Sequence, residues 1–150
     1  MKLSTITTTL AMAAVAALTL VAPVAKAQPG CSNATLKGTF SDKDTGFIVA
    51  PPQFAGPFVG VNLEVFDGTG GMTSTGMGSL NGNITTGTFK GTYTVNSDCT
   101  GTYSGLNSLG LTIHAFFVIS DGGNQLDIVI IDPGTVISCV ARRVFPGRAI

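Results

Sequence analysis

The sequence predicts an all-β protein, an antiparallel up-and-down β-barrel of about eight strands, with a β-sandwich as the alternative. Three observations carry this. Short Val, Ile, Phe, Tyr and Thr runs recur between turn residues, and no long segment has helical periodicity. Twenty glycines occur in 150 residues. They all fall after residue 27, as suits a chain with many turns. Finally, the turns include Asp67-Gly68, Asn81-Gly82 and Asp132-Pro133-Gly134, which are hairpin-type signals.

The first residues predict export. Lys2 supplies a positive start, Leu10 to Val21 an apolar stretch, and Ala25-Lys26-Ala27 a small-x-small cleavage pattern. A twelve-residue stretch is short of the roughly 20 needed to span a membrane as a helix. Residues 1–27 are therefore expected to be a signal peptide, with cleavage near Ala27 and a secreted or periplasmic product. Gln28-Pro29-Gly30 before Cys31 lacks the aliphatic residue of a lipidation box. Residues 28–150 then form one domain of 123 residues (150 − 27), enough for a core. Its charge is −2, from 6 basic and 8 acidic residues. Arg142-Arg143 is its one basic cluster, so no nucleic-acid partner is expected.

The strands are expected at Ala34–Phe40, Phe58–Phe66, Met72–Ser79, Ile84–Val95, Thr100–Leu106, Leu111–Ile119, Gln125–Ile131 and Thr135–Val144. Between the first two, Ser41–Pro57 reads as a long connection because it holds Asp42, Asp44, Pro51, Pro52 and Pro57. In an up-and-down barrel the turns at Asp67, Asn96–Cys99 and Asp121 share one end, the floor. The long connection and the turns at Asn81, Asn107 and Asp132 share the other. Cys31, just before the first strand, belongs at the floor with Cys99.

Three cysteines in an exported chain predict one disulfide and one spare thiol. Loop entropy gives roughly 4 kcal/mol for Cys31–Cys99 or Cys99–Cys139 and does not choose between them. The shared floor favours Cys31–Cys99, leaving Cys139 in the last strand with Ile137 and Ala141 on its face. Three scattered cysteines and one histidine show no metal-ligand spacing, so neither metal nor cofactor is expected. Asp67-Gly-Thr-Gly-Gly and Asp121-Gly-Gly-Asn lack the ligand repeat of a calcium loop and read as hairpin turns. The sequons Asn33-Ala34-Thr35 and Asn83-Ile84-Thr85 are expected to stay unmodified. Gly-x-Ser-x-Gly, Walker and dinucleotide motifs do not occur.

Cys31-x4-Leu36-x-Gly38, Phe66-Asp67-Gly68-x-Gly70 and Gly91-Thr92-Tyr93-Thr94-Val95-Asn96-x-Asp98-Cys99-Thr100-Gly101-Thr102 together resemble a group of small exported bacterial proteins without assigned function. The likeness runs through Asp132-Pro133-Gly134 to the last strand. In that group the matching cysteines are Cys31 and Cys99, and Cys139 is an addition. The implied architecture is similar to the calycin-like eight-stranded barrels of allene oxide cyclase and dirigent proteins. No catalytic motif of those plant families matches residue by residue.

Glu64 is the only glutamate and His114 the only histidine. Glu64 alternates with Phe58, Gly60, Asn62 and Phe66, opposite Val59, Val61, Leu63 and Val65. His114 shares a face with Thr112, Phe116 and Val118. Were both faces inward, the barrel would hold a carboxylate and an imidazole among aromatic rings, candidates for an acid–base pair. The plainer expectation is that the valines fill the barrel, Glu64 meets solvent and His114 is a satisfied or surface histidine. No catalytic residue is assigned.

The leading functional expectation is a non-enzymatic barrel binding a small apolar or amphipathic ligand through Phe47, Phe54, Phe58, Glu64, His114 and Phe116, lidded by Ser41–Pro57. An isomerase- or cyclase-type enzyme using Glu64 and His114, and a filled structural barrel, are the alternatives. Residues 111–119 and 125–131 are apolar on both faces, which predicts a homo-oligomer covering their outer side.

Overall fold

The computed structural model describes residues 30–144; the expected signal peptide lies outside the described residues. Eight antiparallel strands close into a barrel in sequence order. They are β1 (Gly38–Ile48), β2 (Gly56–Phe66), β3 (Gly71–Leu80), β4 (Asn83–Val95), β5 (Thr100–Asn107), β6 (Thr112–Ser120), β7 (Gln125–Ile130) and β8 (Thr135–Arg143). β1 pairs with both β2 and β8, which removes the free edges a sandwich would keep. The expected meander is the observed one.

The first strand departs from expectation. Asn33–Leu36 is a turn of 3-10 helix, and β1 begins only at Gly38 but continues to Ile48. Ser41–Ile48 is thus barrel wall, and the connection to β2 shrinks to residues 49–55. Two aspartates read as turn formers instead alternate regularly with exposed Ser41, Lys43 and Thr45. Their side chains point into the barrel, where an extended backbone is required whatever the residue's turn preference.

The floor is closed by that 3-10 turn. Leu36 is fully buried beneath Phe40, Phe66, Met72 and Leu126 in one apolar cluster. Phe40, Phe66 and Tyr93 meet edge-to-face at 5.4 and 5.1 Å, a favoured aromatic geometry. The Tyr93 hydroxyl donates to the Asn33 carbonyl and accepts from the Gly68 N–H, both at 3.0 Å. Arg143 lies 4.5 Å above the Phe40 ring and donates to the carbonyls of Lys37, Thr35 and Gly123. The Cys31–Cys99 disulfide joins this lead-in to the β4–β5 turn, and Cys139 is free and buried.

The Asp67 turn is explained locally. Its Oδ1 accepts from the N–H groups of Thr69, Gly70 and Gly71 at 2.7–2.9 Å. Those backbone donors hold the Asp67 carboxyl down at about 2. The acidic turn is a hairpin device, as expected.

At the other end β3 and β4 run beyond the rim, because β4 pairs with β5 only from Phe89 onward while Asn83–Thr88 pair with β3 alone. On β6 and β7 the inner face (Ala115, Phe117, Ile119, Leu126, Ile128) is buried. Their outer face exposes Phe116, Val118 and Val129, and Ile131, just past β7, is exposed beside them.

Candidate functional site in the barrel interior

Strand alternation places Phe58, Gly60, Asn62, Glu64 and Phe66 inside and Val59, Val61, Leu63 and Val65 outside. Glu64 is 4% exposed and the four outer residues 43–57%. The expectation that the valine face fills the barrel is therefore overturned. The two phenylalanines decide it. An aromatic side chain removes more apolar surface from water than a valine, and Phe66 joins the floor stack while Phe58 needs room inside. Gly60 and Gly78 provide that room. A methyl group at either would come within 3.3 Å of the Phe58 ring. β-Branched valines, for their part, sit well on the pleated outer surface.

This choice carries Glu64 inward, and β1 carries Asp42 and Asp44 in beside it. Asp42 lies directly opposite Asn62, so Glu64 is its diagonal neighbour on β2. Asp44 lies opposite Cys139 of β8. One donor atom from each of Asp42, Asp44 and Cys139 falls within 4.8 Å of the others, which makes these three the residues able to hold a metal. Asn62 Nδ2 donates to Asp44 Oδ2 at 2.6 Å and to Asp42 Oδ2 at 3.4 Å. Asp42 Oδ1 and Glu64 Oε2 are buried with no hydrogen-bond partner.

The electrostatics follow from the burial. Loss of water, then the neighbouring charge of Glu64 and a hydrogen bond with Asp44, push the Asp42 carboxyl up to about 9. Burial, then the charge of Asp44, pushes Glu64 up to about 8. The Cys139 thiol is raised by burial first and the carboxylates second. Tyr103, buried on β5, is raised well above the usual phenol range by burial and by the same acidic groups. Each is a case of the uncharged form being favoured in a dry, acidic neighbourhood. Among the described residues no lysine or arginine forms a salt bridge with this cluster; the one pair found is His114–Asp132.

Above the carboxyl layer the upper mouth is lined by Ile48, Phe58, Leu80, Phe89, Ile113 and Ile130, all inward and half-buried. Phe89 lies against Gly91 and Gly105 much as Phe58 lies against Gly60 and Gly78. Phe54, half-buried, sits in the 52–54 turn of the connection over this end.

The other expected site residues lie on the opposite side of the wall. His114 is 51% exposed at its side chain, with Nδ1 2.7 Å from Asp132 Oδ1. Its backbone N–H donates to Asp132 Oδ2 at 2.8 Å. Phe116 and Phe47 are also exposed on the outside. Glu64 and His114 thus cannot meet one substrate, and the acid–base pair is not assembled. Even-numbered positions of β2 point in and even-numbered positions of β6 point out. That relative phase depends on the register of every intervening pairing.

His114 faces Ser104 across β5 and β6, above a shallow outer groove of about 320 Å³ that also includes Thr92, Thr94, Thr102 and Ile131. The Asp132–His114–Ser104 order resembles a nucleophile triad. Yet no hydrogen bond joins His114 to Ser104 among the described residues, and the surrounding β4–β6 strands are paired in ladders. An oxyanion site needs free, convergent donors. Asp132 is better understood as anchoring its own turn, since its carbonyl also accepts from the Thr135 hydroxyl at 2.7 Å.

Sequence reasoning missed Asp42, Asp44, Asn62 and Cys139 as a group. Their signal was the alternation Asp-Lys-Asp-Thr within an otherwise strand-like text, masked by the turn preference of aspartate. No protein-family model matches the chain, and a search of curated proteins returned no match.

Proposed function

We propose that this chain is an exported β-barrel that binds a small amphipathic ligand through its upper mouth. One observation carries the reading: a ring of half-buried apolar residues opens directly onto a buried polar layer, in a barrel whose other end is plugged. Ligand sites combine mostly apolar lining with a few placed polar groups. Ile48, Phe58, Phe89 and Ile130 would contact the apolar part, and the carboxyl layer the polar part. The closed eight-stranded meander supports the resemblance to calycin-like barrels, and the Cys31–Cys99 bridge supports residence in an oxidising compartment.

The test uses the neutral dye Nile red and two substitutions. Ile130→Asp at the mouth should weaken dye binding at least tenfold, whereas Val61→Asp on the outer wall should leave it within twofold. The reverse pattern would place binding on the outer surface and overturn the proposal. A filled structural barrel is the second reading, favoured by the way the Phe58 and Phe89 rings lie against wall glycines. It predicts no saturable dye binding in either variant or in the parent.

Self-association through β6 and β7 is proposed on the same footing. Phe116, Val118, Val129 and Ile131 form an outer apolar face, and a second copy presents an identical face for symmetric burial. Size-exclusion chromatography with light scattering should return a multiple of the monomer mass at micromolar concentration, and Val129→Lys should reduce it to the monomer. A monomer in the parent protein defeats this part.

A further inference from the structure

The inward polar residues of β1, β2 and β8 converge on one point in the barrel. Asp42 and Asp44 come from β1, Glu64 and Asn62 from β2, and Cys139 from β8 directly across from Asp44. We propose that Asp42, Asp44 and Cys139 bind a single divalent ion of the zinc type, with Glu64 beside them on the inner face of β2.

Three features support a cation, and they are separate from one another. The first is geometric: oxygen and sulfur donors from two strands already lie within 4.8 Å of each other. In a tetrahedral zinc site with usual bond lengths, donors are roughly 3.3–3.8 Å apart. Side-chain rotation on binding would have to close that difference. The second is unmet bonding capacity. Glu64 Oε2 and Asp42 Oδ1 are buried with nothing to accept from, and such groups in a folded interior are a small minority that require an explanation. Glu64 shares the inner face of β2 with Asn62 and is diagonal to Asp42.

The third feature is charge. Among the described residues no basic side chain pairs with the cluster. Lys43 lies between Asp42 and Asp44 in sequence but is exposed on the outer face. Arg143 is held at the floor by three carbonyls and the Phe40 ring. Two carboxyl groups and a thiol as donors, with the Glu64 carboxyl beside them and no protein cation, form a site that a divalent ion neutralises.

The sulfur selects among ions. Calcium and magnesium prefer all-oxygen shells of six or more ligands, whereas one thiolate with carboxylates suits zinc and its spectroscopic stand-in cobalt. Binding would displace the proton of the Cys139 thiol and that held by Asp42, which leave to solvent as the metal–ligand bonds form. Asn62, now donating to Asp44 and Asp42, would orient both carboxylates from outside the metal's own shell, as supporting hydrogen bonds commonly do.

The test begins with full-length protein purified and stripped with a chelator, titrated with zinc and, separately, with cobalt. The expected result is one zinc per chain by calorimetry, with a rise in thermal midpoint of roughly 5–10 °C at a hundredfold excess over Kd. Cobalt should add a sulfur-to-metal charge-transfer band in the near ultraviolet. Cys139→Ser should abolish that band and weaken zinc at least tenfold. Asp44→Asn should remove stoichiometric binding. Both variants are checked for fold by circular dichroism, and the parent protein's cobalt spectrum tests thiolate ligation without any substitution. Absence of saturable zinc binding in the parent overturns the proposal. So does cobalt binding without the charge-transfer band, or zinc binding unchanged in both variants. Magnesium and calcium should neither bind tightly nor shift the midpoint, and a preference for them over zinc would likewise refute it. The Nile red assay with metal-free protein reads the mouth independently, so failure of one result leaves the other standing.

Discussion

Metal-free protein is expected to lose stability as the pH rises from about 5 to about 8. The cause is the interior carboxyl pair. Asp42 and Glu64 are raised from ordinary values of 3.8 and 4.5 to about 9 and about 8. Between the unfolded and folded values the native state holds protons that the unfolded chain has released. Stability therefore falls with pH, by about 1.4 kcal/mol per pH unit for each group fully within its window. The contribution is complete below the unfolded values near pH 4 and is lost as pH rises through the folded values. Urea midpoints measured at several pH values in the presence of a chelator would show a monotonic decline. Asp42→Asn and Glu64→Gln should each flatten the slope by roughly one proton's worth and exceed the parent in stability at pH 8. A flat or rising parent profile over that range would contradict the assignment of a protonated interior.

Removing the disulfide is the second large effect. Cys31 and Cys99 are separated by 68 residues, and cross-linking a loop of that size restricts the unfolded chain by about 4 kcal/mol. For a domain of this size that is a large part of the usual total stability. The structure adds a local consequence. The lead-in carries Leu36 under the floor, Asn33 bonded to the Val95 N–H at 2.8 Å and to Tyr93, and the carbonyls that hold Arg143. Release of Cys31 loosens the plug as well as the chain. The paired Cys31→Ser and Cys99→Ser variant should unfold at a markedly lower urea concentration with near-unchanged strand content by circular dichroism in buffer. Equal midpoints for parent and variant would mean that the floor is held by packing and hydrogen bonds alone.

Much of the barrel was legible because its signals are local. Turn residues at Asp67-Gly68, Asn81-Gly82 and Asp132–Gly134, and period-two runs between them, mark seven of eight strands close to where they lie. Chain order then assigns ends, which is enough to bring Cys31 and Cys99 together. The first strand was misplaced because aspartate prefers turns, and that preference is a statement about solvated backbone. Inside a closed ladder the pairing of β1 with two neighbours outweighs it.

The candidate site was not legible, for a different reason. Alternation along β2 separates Glu64 from the valines but does not say which set faces inward. Only the whole circuit of registers settles that. It puts Phe58 and Phe66 inside, which brings Glu64 to Asp42, Asp44 and Cys139 and sends His114 to the outer wall beside Asp132. By itself, the amino-acid sequence determined the strand count, the meander and the shared floor of the two bridged cysteines, since each depends on neighbours in the chain. The tertiary structure alone decided what the barrel contains, because a one-residue change of phase exchanges the two faces of every strand.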